Sequence, residues 1–279
     1  MSETAPAASG SRRELATRVA SGVVMAGLAL GTVVIGGWPF LLFWAAAAVG
    51  VFWEWSAIIA DSAVAVQVAG TAAIVIAAAA AGAGQFAIAL AVLASGVAAV
   101  ALLCGPQRRV WSAAGVVYAG TVLLAPVVLR RDREFGLVTM LFLFAVVWAT
   151  DILGYFIGQA AGGPKLAPRI SPKKTWSGAC GGACGALVAG VAVIQVAGNA
   201  ALIPAACVAL VLSIVSQAGD LLESAIKRRF GVKDASHVIP GHGGLMDRLD
   251  GFLAAAGVAA LIGLVRGGPD ASARGLLWW

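Results

Sequence analysis

Charge is scarce in this chain: Asp, Glu, Lys and Arg make up 11% of 279 residues, 61% are hydrophobic, and mean hydropathy is +0.94. Soluble domains carry about 25% charged residues, so the shortage excludes a soluble globular enzyme. Stretches 45–52 and 72–81 hold no charge at all. A bilayer, which needs about 20 apolar residues per crossing, demands such runs; an ordinary core does not. Cysteine is sparse as well. Cys104, Cys180, Cys184 and Cys207 sit in apolar or Gly/Ala-rich surroundings without paired Cys/His spacing, so no disulfide is expected, and Cys180 and Cys184, one helical turn apart, make a weak metal site. They read as small packing residues. No long polar linker divides the chain, so 19–279 reads as one transmembrane domain behind a cytoplasmic tail, 1–18.

What is present is a series of apolar segments. The fold class is all-α, a polytopic integral membrane protein of about nine crossings by the ~20-residue criterion. The expected spans are Val19 to Gly37, Trp38 to Ala60, Val64 to Ala81, Gln85 to Cys104, Trp111 to Leu129, Gly136 to Gly158, Ser177 to Ala197, Ala201 to Gly219 and Gly251 to Val265. With the N-terminus in the cytoplasm, fourteen of the 19 Lys and Arg fall inside, as the positive-inside bias requires. Arg130, Arg131 and Arg133 dissent from an outside loop, where a re-entrant or missed segment would change the count. Gly178, Gly181, Gly182 and Gly185 form small-xxx-small pairs that read as tight helix packing.

Acids inside apolar segments are functional candidates, since an ionised side chain there costs at least about 2.5–3.5 kcal/mol. Asp151 is expected to face a polar cavity near the cytoplasmic surface, the bland alternative being a structural bond between helices. Glu54, between Trp53 and Trp55, reads as structural, a carboxylate snorkelling to water. Helical spacing puts Asp220, Ser224 and Lys227 on one face, with Glu223 at its border and Arg228 adjacent. The loop that follows holds Lys233, then His242, Gly243, Gly244, Asp247, Arg248 and Asp250. Glycines let backbone amides converge on an anion. Carboxylates beside cations suit a magnesium-bound polyphosphate, the acids holding metal and the cations neutralising phosphate. A second loop, 159–176, offers Lys165, Arg169, Lys173, Lys174, Ser171 and Thr175, its segment 162–176 having no acid. A polybasic lipid patch would explain it, but the stiffening prolines and a helix starting near Thr175 favour a defined phosphate site.

These residues resemble a known family. Ser224-x-Ile-Lys-Arg228, Lys233-Asp234 and Ile239-Pro-x-His-Gly-Gly-Leu-x-Asp-Arg-Leu-Asp250 are similar to the signature of the phosphatidate cytidylyltransferases, or CDP-diacylglycerol synthases. Ser171-Pro-Lys-Lys-Thr175 and the Asp151 segment extend the likeness over essentially the whole chain. Ser177 departs from it, standing where many relatives carry Glu. The resemblance implies transfer of a cytidylyl group from CTP to phosphatidic acid, giving CDP-diacylglycerol and pyrophosphate in phospholipid biosynthesis.

It further implies magnesium, with a second cation such as K+ left open. The expected metal ligands are Asp220 and Asp247, with Asp250 and Asp151 beside them. Lys173, Lys174, Lys227, Arg228 and Arg248 would hold phosphates, and Lys233, Thr175, Gly243 and Gly244 would line the substrate site. His242, Ser224 and Ser171 would donate hydrogen bonds. The lipid's own phosphate is the nucleophile, so no Ser–His or Cys–His pair is required. Expected partners are CTP, phosphatidic acid and membrane lipid, not nucleic acid; a homodimer stays open. The expected location is a bacterial inner membrane with the site facing the cytoplasm. A secondary transporter would also use intramembrane acids, but the paired interrupted segments expected of one are absent. Another membrane transferase acting on CDP-activated lipid would show a different Asp-rich helix pattern, and a purely structural protein would not explain two loops so rich in ionisable groups.

Overall fold

A computed structural model describes residues 7–59, 63–198, 201–236, 238 and 243–279. Ten helices appear in order: α1 (Ala7–Ile35), α2 (Gly37–Ile59), α3 (Val64–Gly82), α4 (Phe86–Leu103), α5 (Arg109–Arg131), α6 (Gly136–Ala161), α7 (Trp176–Val196), α8 (Leu202–Arg229), α9 (Met246–Gly267) and α10 (Ser272–Leu277). Between α6 and α7, strands β1 (Lys165–Ala167) and β2 (Ser171–Thr175) pair antiparallel, with Lys165 opposite Thr175. The hairpin is the one departure from an all-α fold among the described residues.

Eight helices, α2 to α9, are long and apolar enough to cross a membrane, and α1 adds the shorter apolar stretch Val19–Ile35. The nine expected segments are thus all helical, the first being shorter in its apolar part than a full crossing. The chain is an integral membrane protein.

Two boundaries shift in a way that matters for function. Helix α8 runs ten residues past the expected Gly219, because the amphipathic stretch 220–229 keeps its helical hydrogen bonds and places Lys227, Arg228 and Arg229 at the favoured C-terminal end. Helix α9 begins five residues before the expected Gly251, with Asp247 in its first turn. Asp247 and Asp250, expected in a loop, therefore lie on a helix.

The core joins α2, α5, α6 and α9. Trp44 stacks on Phe252 at 5.1 Å and Phe252 on Phe144 at 5.0 Å, tying α2, α9 and α6 through one aromatic column. Helices α6 and α7 meet through small residues. A Cβ at Gly182 would lie 2.6 Å from the Thr150 carbonyl oxygen, and one at Gly178 would lie 2.6 Å from that of Gly154. The expected glycine packing is borne out. The four cysteines are free, and Cys180, Cys184 and Cys207 are exposed on helix faces rather than packed inside.

The Arg130 to Arg133 segment forms a tight turn joining α5 to α6, without a re-entrant element. Its cations are consumed in tying helix ends together: Arg130 Nε donates to Val33 O at 2.7 Å, and Arg131 pairs with Asp270 at 3.4 Å. Asp132 accepts from the Glu134 and Phe135 amides. These bonds lie at the opposite end of the bundle from the hairpin and the α8–α9 connection.

Replacing Gly182 with Val should lower the thermal midpoint of the detergent-solubilised protein, since overpacking of this kind costs about 1–3 kcal/mol. An unchanged midpoint would contradict the close α6–α7 contact.

Candidate active site

Three elements bring ionisable groups together where the apolar bundle ends. The hairpin contributes Lys174, whose ammonium pairs with the Asp220 carboxylate on α8. Thr175 positions the hairpin's end: its Oγ1 accepts from the Gly178 amide at 3.1 Å and so caps α7. Ser177, where the resemblance would place Glu, donates through Oγ to the Gly162 carbonyl and closes the base of the hairpin. Ser224 donates to Asp220 Oδ1 at 3.4 Å, one helical turn on. The expected Asp220–Ser224 neighbourhood on α8 is therefore present.

Lys227 turns the other way. Its Nζ donates to Asp247 Oδ1 at the start of α9 and lies 3.2 Å from Glu223 Oε1. Lys227 and Glu223 are buried, Glu223 being 1% exposed. A buried cation between two carboxylates is the arrangement that low dielectric enforces. The Glu223 carboxyl is shared between the Lys227 ammonium and Asp250. Asp250 stands beside Glu223, and its Oδ1 accepts from the Gly251 amide at 2.6 Å. Asp151 is exposed on α6 and shares an electrostatic neighbourhood with Asp250, Asp220, Lys174 and Arg248.

The glycine loop holds an anion, and that anion is the protein's own. Asp247 Oδ2 accepts from the Gly244 amide at 2.9 Å and from the Ala235 amide at 3.0 Å. Gly243 adopts φ +84°, and a Cβ there would lie 3.0 Å from Asp247 Oδ2, so glycine is required both for the backbone and for the approach. Arg228 donates to the Val232 carbonyl at 3.2 Å, which directs it along the loop rather than toward the acids. Ser171 opens β2, and Lys173 and Lys233 are exposed. His242 lies outside the described residues.

Of two further residues at this site, one differs in its surroundings from the sequence reading and the other escaped it. Glu54 is structural, as expected, but it does not snorkel to water: it is 7% exposed and accepts from the Leu245 and Met246 amides. The physical reason is that the uncapped start of α9 offers it amide donors, which hydrate it less expensively than a route to solvent. Tyr118 of α5 has a buried hydroxyl without a hydrogen bond and faces the charges of Glu223, Asp250, Asp247 and Asp220. An isolated Tyr in an apolar helix carries no signal of this.

Among the described residues, no three His, Cys, Asp or Glu side chains stand close enough to hold a metal together. Magnesium rarely needs such a cage, since one or two carboxylates complete its shell with water and substrate phosphates. The donor set fits it. Five carboxylates, Asp151, Asp220, Glu223, Asp247 and Asp250, share this end of the bundle with Lys174, Lys227 and Arg248.

Residues 16–265 match the Cytidylyltransferase family. The chain belongs to that family. Among its relatives, it is similar to the phosphatidate cytidylyltransferase of Brucella abortus biovar 1 (strain 9-941), with 42% identity over 92% of this chain and 96% of the relative. The phosphatidate cytidylyltransferase of Staphylococcus saprophyticus is 46% identical over 45% of this chain and 48% of its own. That of Bacillus subtilis (strain 168) is 32% identical over 49% of this chain and 51% of its own. Family membership removes the support for a transporter.

The two Lys–Asp pairs of this cytidylyltransferase should differ in their worth. Lys174 and Asp220 are partly exposed, at 27% and 31% of their side chains, so a double-mutant cycle on thermal unfolding should give a coupling of about 0.2–1 kcal/mol. Lys227→Met leaves two buried acids without their cation and should cost about 3–5 kcal/mol. Equal effects at the two pairs would contradict the burial described.

Proposed function

We propose that this protein transfers the cytidylyl group of CTP to phosphatidic acid, giving CDP-diacylglycerol and pyrophosphate. The observation that carries the reading is the convergence of Lys174–Asp220 and Lys227–Asp247 from the hairpin, α8 and α9 onto one acidic cluster. The printed activity of the relatives supports it. A phosphate oxygen of phosphatidate attacks the α-phosphorus of CTP, the bond from that phosphorus to the bridging oxygen breaks, and pyrophosphate leaves with the electron pair. No side chain need become covalently attached, so the protein's work is positioning and neutralisation.

Each residue has a part in that work. Lys174 and Lys227 exchange their carboxylate partners for substrate phosphates, and Lys173, Arg228, Arg248 and Lys233 add positive charge around them. Their release leaves Asp220 and Asp247 available to a cation, with Asp250 and Asp151 beside them. Magnesium held there supplies charge neutralisation on the phosphates, and a second cation such as K+ fits the same acid surplus. The Gly243 amide, Ser171, Ser224, Thr175 and His242 complete the hydrogen-bonding surface, while the Gly244 amide holds Asp247 in place.

The location follows from the substrates. A nucleotide and an acyl lipid meet only where a polar site borders both water and the bilayer, and a cluster of charges at the end of an apolar bundle supports that placement. Among the described residues beyond α1, eleven Lys and Arg lie at the site end and five at the other end, which supports an orientation toward the cytoplasm. The bacterial relatives support an inner membrane.

Purified protein given CTP, magnesium and phosphatidic acid should release pyrophosphate, and omission of any one component should stop it. Asp220→Asn should lower turnover at least about 100-fold, as loss of a charge that acts on the transition state does, with little change in unfolding. Asp247→Asn should be equally inactive and also less stable, because Asp247 holds Lys227 and two loop amides. A fully active Asp247→Asn enzyme would refute its role.

A further inference from the structure

The connection between α8 and α9 carries Lys233, Gly243, Gly244 and, outside the described residues, His242, and its two ends have to be held against the bundle. Two carboxylates do so. Asp247 takes the Ala235 amide on one side and the Gly244 amide on the other. Glu54, on α2 and far away in sequence, repeats the pattern one residue further along: Oε1 accepts from Ser236 Oγ at 2.6 Å and the Leu245 amide at 2.8 Å, and Oε2 accepts from the Met246 amide at 2.7 Å.

The surroundings of Glu54 form a seat. Trp53 Nε1 donates to Thr71 Oγ1 on α3 at 2.8 Å, and Trp55 Nε1 donates to the Trp111 carbonyl on α5 at 2.8 Å. The two flanking indoles thus fix the rotation of α2 and aim the carboxylate at α9. One turn earlier, Gly50 leaves a notch filled by Leu245: a Cβ there would lie 2.9 Å from Leu245 Cδ2. A Cβ at Gly244 would lie 2.8 Å from Glu54 Oε2, so the loop approaches as closely as its backbone permits. The Leu245 N-cap of α9 has no side-chain cap of its own. Glu54 supplies the acceptors from another helix, where the positive end of the α9 dipole favours a negative charge.

We propose that Glu54 is a positioning residue for cytidylyl transfer: it holds both ends of the α8–α9 connection and so sets the placement of Gly244, Asp247 and Lys227. It touches neither substrate nor metal in this role. The inference rests on the proposed function for its kinetic readout, but not for its structural one.

The test uses the full chain in detergent with three variants, Glu54→Gln, Glu54→Ala and Gly50→Val. The last leaves the carboxylate in place and displaces Leu245 from its notch. Amide hydrogen exchange over 235–246 is measured without substrate, and pyrophosphate release is measured against CTP, phosphatidate and magnesium in turn. Glu54→Ala should speed exchange of the Leu245 and Met246 amides. It should lower kcat/KM for CTP by about 10–100-fold and raise the magnesium needed for half-maximal rate, the scale seen when outer partners of a metal site are lost.

The KM for phosphatidate should stay within about twofold, since the bonds lost act on the loop and Asp247. Glu54→Gln, which keeps one acceptor oxygen, should recover part of the loss, and Gly50→Val should reproduce the faster exchange. The proposal is overturned if exchange and CTP kinetics are unchanged in Glu54→Ala. It is equally overturned if activity per folded molecule stays at the wild-type level. Should Glu54→Ala not fold, Gly50→Val decides alone by the same readouts. A wild-type protein that releases no pyrophosphate would overturn the functional reading, while the exchange measurement would still judge the seat.

Discussion

Lys227 places one positive charge between two buried carboxylates, and the end of the bundle is organised around keeping it there. Glu223 lies one turn before it on α8 and Asp247 opposes it on α9. In a low-dielectric setting none of the three is tolerable alone. Helix α8 must therefore continue past its apolar stretch to present Lys227, and α9 must begin early enough to present Asp247. The loop between them is drawn in because Asp247 still has an oxygen to satisfy, which the Gly244 and Ala235 amides do. The glycines follow from that closeness, since a side chain at Gly243 would meet the same carboxylate.

Most of the architecture was legible because hydropathy reports bilayer residence directly. Helix ends were less so. Apolar character stops near Gly219, yet the helix continues to Arg229, since backbone hydrogen bonding does not depend on which residues face lipid. The same reasoning placed Asp247 and Asp250 in a loop when the first turn of a helix favours an acid. Composition signalled the charged clusters but not their pairing. That Lys174 meets Asp220 while Lys227 meets Asp247 depends on how a hairpin folds back over α8, and no spacing within one segment encodes it. Glu54 was visible as an acid in an apolar run. Its partners lie 182 to 192 residues away, beyond any local pattern.

The two ends of the bundle use arginine and lysine differently. At the end away from the cluster, Arg130 caps the Val33 carbonyl and Arg131 pairs with Asp270, so the cations there close helix termini. At the cluster end the lysines pair with acids, and in the proposed reaction a phosphate would take the acid's place at a lysine while a metal ion would take the lysine's place at an acid. The apolar column of Trp44, Phe252 and Phe144 lies between and gives α2, α6 and α9 a common rigid reference. The exchange of ionic partners proposed at one end would then leave the helices that carry them in place.

The bond from Glu54 to Leu245 spans 191 residues, and this separation has a consequence for biogenesis. During synthesis α2 leaves the ribosome long before α9 exists. At about 5–20 residues per second, its acid waits roughly 10–40 seconds for the amides that will satisfy it. Through that interval a carboxyl group on a membrane segment is without its final partners, and water in the insertion machinery or at the bilayer surface has to solvate it. The last long helix to emerge is thus the one that answers the polar group of the second.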